Sequence, residues 1–165
     1  MHHHARMHAM RLGRISEPGR VYSVTTVADG RACLFRNLYL ARAVASSIGW
    51  VHEQRWVHSL AWCLMPDHLH WLFRLGKRRT LPAVVQSVKG YSARRINQIR
   101  GMPGKRVWQE GYYESAVRAN TDLRELARYI VANPLRDGIV DDLCHYPHWD
   151  AIWLSADMDP ADLLL

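Results

Sequence analysis

Two runs dense in β-branched and aromatic residues, "RWVHSLAWCLM" (55–65) and "LHWLFRL" (69–75), are separated only by Pro66-Asp67-His68. No other feature restricts the fold as much. Parallel strands need a crossover of a dozen or more residues between them. The short Pro-Asp step therefore demands an antiparallel pair or a sharp bend.

The surrounding chain supplies partners for that pair. "RVYSVTTV" alternates as a strand and meets a turn at Asp29-Gly30. Leu34, Leu38, Ala41, Ala45 and Ile48 recur at helical spacing, and Gly49 is expected to end that helix. Residues 81–100 form a second helix with Val84, Val85, Val88, Tyr91, Ile96 and Ile99 inward. A fourth strand is expected within "RVWQEGYYESAVR". A third helix spans Asn120 to Ala132, with Asp122 and Glu125 placed for a capping box and Asn133-Pro134 as its stop.

The order strand–helix–strand–strand–helix–strand–helix predicts an α+β fold, an antiparallel sheet with packed helices. At 165 residues the chain suits a single domain, placed at 21–154. Residues 1–20 are expected to be a flexible N-terminal segment and 155–165 a loose tail, with "YPHWDAIWL" packing on the body.

Charge narrows the function. The net charge is +7, and from His68 to Gln109 there are ten Lys or Arg and no Asp or Glu. Beyond Arg136 every charged side chain is Asp. A solvated surface mixes signs, so this one-sign stretch points to a polyanion, nucleic acid above all. No run reaches the ~20 apolar residues that span a bilayer. Cys33, Cys63 and Cys144 lack CxxC spacing, which argues against a disulfide framework or cysteine zinc site. They are read as small buried hydrophobes in a reducing cytoplasm.

His68 and His70 stand two apart on a strand, so both imidazoles face one side while Leu69, Trp71 and Phe73 face the other. Such a pair is half of a divalent-metal site. Tyr129 and Asn133 lie four apart on the third helix, on the shoulder of its apolar stripe, and are expected to be partly buried. A carboxamide oxygen is a hard ligand, suiting a His-His site to Mg²⁺ or Mn²⁺. Asp67 is a candidate to orient an imidazole.

"MPDHLHWLF" resembles the His-hydrophobic-His signature of HUH single-strand endonucleases. Together with "VVQSVKGYSARRINQ", "VWQEGYYESAVR", "LARYIVANPLRDGIV" and "YPHWDAIWL", it resembles the REP-associated tyrosine transposases from about Arg20 to Leu154. The resemblance implies a ferredoxin-like antiparallel sheet, His68 and His70 as metal ligands, Tyr129 as nucleophile and Asn133 as third protein ligand. Some relatives carry Gln at that last place. It also implies a metal-dependent single-stranded DNA endonuclease and strand transferase acting on palindromic REP hairpins through a covalent 5′-phosphotyrosine.

DNA-binding candidates are Lys89, Arg94, Arg95, Arg100, Lys105 and Arg106 for the backbone, with Arg94 and Arg95 foremost. Trp108 and Tyr112 are expected to stack on unpaired bases. Expected besides are a cytoplasmic, nucleoid-associated location and a monomer in preference to a helix-exchanging dimer. Three other readings stand beside this one. The chain could be a hairpin-binding protein without cleavage, or a metal-dependent hydrolase, which would want a third His or carboxylate. The nucleophile could instead be Tyr112 or Tyr113, neither of which has a ligand-type residue four positions on.

Overall fold

A computed structural model of the chain describes residues 16–153. The expected flexible N-terminal segment falls mostly outside these residues, and the expected loose tail entirely so. Five strands form one antiparallel sheet: β1 (Val21–Val27), β2 (Val57–Leu64), β3 (His68–Leu75), β4 (Tyr113–Ala116) and β5 (Trp149–Ala151). Their order across the sheet is β4-β1-β3-β2-β5. The first four strands, with two helices, make the ferredoxin-like arrangement. β5 adds an edge strand beside β2, drawn from the aromatic tail segment expected only to pack on the body.

β2 and β3 pair antiparallel from Val57↔Leu75 to Leu64↔Leu69, one of the two outcomes that the short Pro-Asp step allows. The register slips between Ser59 and Ala61, which places Leu60 in a bulge. Gly76 closes the far end. A Cβ there would sit 2.6 Å from the Arg55 carbonyl, so only glycine fits so close to that backbone.

Helices α1 (Leu38–Glu53) and α2 (Leu81–Arg100) cover one face. Asn37 caps α1 by accepting from the Tyr39 and Leu40 amides. The helix runs through Gly49 rather than stopping there. Val51 beyond it is 1% exposed, and that apolar contact outweighs the modest cost of an interior glycine. α2 keeps its expected bounds. Thr80 caps its start and Gly101, at φ 64°, ends it. Tyr91 and Ile99, expected inward, are exposed.

Leu69, Trp71, Phe73 and Leu75 pack against α1 and α2 in the larger core. The opposite face carries Ala61, Cys63 and Leu72, covered by α3 (Leu123–Val131) through Ala127, Ile130 and Val131. Asp122 caps α3 by accepting from the Arg124 and Glu125 amides, which is one half of the expected box. Pro134 does not terminate helical structure. It opens a further short turn, α4 (Asn133–Arg136), a position where its missing N–H costs nothing. Tyr146 locks the following loop down, its hydroxyl donating to the Leu64 carbonyl at 2.7 Å. Among the described residues no helix is long and apolar enough to cross a membrane.

Candidate active site

The pleat of β3 turns His68 and His70 toward the α3 face, beside the smaller core and away from α1 and α2. Their Nε2 atoms approach to 3.0 Å. Each Nδ1 has its own partner. His68 Nδ1 meets Asp67 Oδ1, and His70 Nδ1 lies 3.0 Å from Thr25 Oγ1 on the adjacent β1. Thr25 and His70 are directly opposed in the ladder, so they share a face.

Asp67 does orient an imidazole. Burial alone would raise its carboxyl, but hydrogen bonds and charge from His68 and Arg31 outweigh this and hold it below the usual range. An ionised carboxylate only accepts, so a neutral His68 ring would carry its proton on Nδ1 and leave Nε2 bare. His70 Nε2 then donates to that lone pair, and the Thr25 hydroxyl donates to His70 Nδ1. Burial first, then repulsion from Arg136 and from the His68 ring whenever that ring is protonated, pushes His70 down to about 3 and keeps its ring neutral.

This arrangement fits a divalent cation. Both Nε2 atoms converge on one spot, and a tautomer change at His70 would free its Nε2 lone pair, with the Thr25 hydroxyl switching from donor to acceptor. No group of three or more His, Cys, Asp or Glu suited to a metal occurs among the described residues, and the third ligand expected from the sequence, Asn133, is of another residue type. Asn133 is 7% exposed, and its amide nitrogen donates to the Ile130 carbonyl at 2.7 Å, which fixes the carboxamide plane.

Tyr129 is 62% exposed and not partly buried as expected. α3 is only nine residues long, and the chain turns into α4 before the helix can tuck this position under a neighbour. Arg136, which helical patterning does not single out, ties the group together. Its Nη1 donates to the Tyr129 carbonyl at 2.6 Å and its Nη2 to Asn133 Oδ1 at 2.6 Å. Its guanidinium lies 3.7 Å over the Tyr129 ring. Its positions, three after Asn133 and seven after Tyr129, are the signal that the sequence offers for it.

A profile of the family described as "Transposase IS200 like" matches residues 20–133, well over half of the chain. The chain belongs to the IS200-like transposases. A curated protein of Escherichia coli (strain K12), a REP-associated tyrosine transposase, is 28% identical over 88 residues. That stretch is 53% of this chain, which spans 50% of that relative's length. A solved REP-associated tyrosine transposase bound to a REP hairpin superposes with a TM-score of 0.67 at 22% identity, over 86% of this chain and 82% of that one. A putative transposase from Deinococcus radiodurans gives 0.51 at 22% identity, over 73% and 95%. These structures share the fold of this IS200-like chain.

Within that fold the DNA-binding candidates separate. Trp108 is not a stacking platform. It is 5% exposed, packs on Phe35 with ring centroids 5.0 Å apart, and donates from its indole to Ser92. Lys89 is likewise structural. Its ammonium donates to the carbonyls of Gln109 and Gly111, and burial lowers its pKa. Tyr112 is half-buried against the larger core. Lys105 and Arg106 are exposed in the loop after α2, and Arg100 is half-exposed.

Arg94 and Arg95 line a groove between α1 and α2 with Arg42, Tyr39 and Tyr91. That groove belongs to the helical layer, across the sheet from His68 and His70. Tyr113, the rival nucleophile, stands on the histidine face opposite Thr25 but two strands from His70, roughly 10 Å at normal strand spacing. Of the three cysteines expected to be buried, Cys63 is, while Cys33 and Cys144 are exposed at the surface.

Proposed function

We propose that this IS200-like transposase cleaves and rejoins single-stranded DNA at repeat hairpins, with Tyr129 as nucleophile. The observation that carries the reading is the convergence of the His68 and His70 Nε2 atoms on the sheet face that α3 covers. The Tyr129 oxygen attacks the scissile phosphorus and the bond to the 3′-oxygen breaks. The phenol loses its proton and the departing oxygen gains one, leaving a 5′-phosphotyrosine and a free 3′-OH. Because the phosphodiester is exchanged and not hydrolysed, a later 3′-OH can reverse the step.

His68, His70 and the Asn133 oxygen would hold Mg²⁺ or Mn²⁺, which when bound supplies Lewis-acid polarisation of the phosphate. Asp67 and Thr25 fix the two rings. The basic groove of α1 and α2 would bind backbone away from the reacting phosphate, so a hairpin touching both must pass around an edge of the sheet. The hairpin-bound neighbour supports this class of partner.

A hairpin oligonucleotide drawn from repeats near the protein's own gene, incubated with Mn²⁺ and run on a denaturing gel, tests the reading. A covalent protein–DNA band is expected for wild type and Tyr113→Phe, and none for Tyr129→Phe or His68→Ala. A band that persists in Tyr129→Phe removes the assignment. Hairpin binding without any band would leave a non-cleaving binding protein.

A further inference from the structure

We infer that Arg136 is a phosphate-contacting residue of this site, binding the non-bridging oxygens of the phosphate that Tyr129 attacks. This rests on the cleavage reading above and extends it to a residue beyond the 20–133 family match.

Its placement argues for that role. The guanidinium lies 3.7 Å over the ring of the exposed Tyr129 and is itself solvent-exposed. Two of its five N–H donors go to the Tyr129 carbonyl and Asn133 Oδ1, which fixes the plane of the fork without neutralising its charge. A fixed, water-accessible guanidinium stacked on a tyrosine and joined to Asn133 is suited to bidentate phosphate binding. Phosphoryl transfer is accelerated mainly by positioning and by charge placed on the phosphate oxygens.

The competing role is structural. Arg136 caps the carbonyl end of α3, and capping alone explains the bond to the Tyr129 carbonyl. It leaves the stacking on an exposed ring unexplained. The two roles differ in what they do to a substrate without charge.

The experiment compares wild type, Arg136→Lys and Arg136→Ala on two hairpin oligonucleotides, one natural and one with a neutral methylphosphonate at the scissile position. Rates of covalent adduct formation are read alongside hairpin affinity and urea midpoint. On the natural substrate Arg136→Ala should slow adduct formation by about 10²–10³-fold, the effect typical of removing one oxyanion donor, with Arg136→Lys recovering part of it. On the methylphosphonate the ratio of wild type to Arg136→Ala should collapse toward one, the coupling expected of groups in contact. An equal penalty on both substrates, or none on the natural one, overturns the inference while wild-type adduct formation keeps the Tyr129 reading intact. Absence of an adduct in wild type overturns both.

Discussion

His68 Nε2 and His70 Nε2 lie 3.0 Å apart, and each ring is held from behind by a different element: Asp67 in the turn before β3, and Thr25 on β1. The pair is therefore pre-aimed. Removing the carboxylate while keeping its shape should loosen the His68 ring. Asp67→Asn is expected to weaken Mn²⁺ affinity by about 10–100-fold, measured by calorimetry, with little change in urea midpoint.

Burial of Trp108 makes a prediction opposite to a stacking role. Its removal leaves a cavity beside Phe35 and takes from Ser92 Oγ the indole donor it accepts from. Trp108→Ala should cost about 3–5 kcal/mol of folding stability, the usual range for a large core aromatic, read from urea denaturation. A fully stable variant with weakened DNA affinity alone would restore the stacking role.

Arg94 and Arg95 face solvent in the α1–α2 groove, across the sheet from the histidines. Neutralising either should weaken hairpin binding similarly for unrelated sequences. For a duplex stem, removing one arginine–phosphate pairing should reduce the slope of log affinity against log salt by about 0.9. Adduct formation at saturating DNA should be unaffected. Titrations at several salt concentrations and single-turnover gels separate the two effects.

The thiols should divide by depth. Burial pushes the Cys63 thiol up to about 12, so almost no reactive thiolate forms there at pH 8. Cys33 and Cys144 are exposed. A disulfide reagent at pH 8 should modify these two in the native protein and reach Cys63 only after unfolding. Rapid modification of all three in the native state would contradict the packing of β2 against α3.

Local signals were strong wherever a single element carried them. The Pro-Asp step between two apolar runs left an antiparallel pair or a sharp bend, and β2 and β3 form the pair. The period of two on β3 put both histidines on one face, and apolar spacing placed α2 at residues 81–100. Tertiary structure decided the rest, because it depends on which residues meet across the sheet. Gly49 stays inside α1 since Val51 reaches the core. Trp108 is drawn under α2 by Phe35 and Ser92. Trp149 to Ala151 becomes a strand because β2 offers an open edge. The bend from α3 into α4 leaves Tyr129 in solvent and swings Arg136 back over it, an arrangement set by the path of the chain that helical spacing alone could not fix.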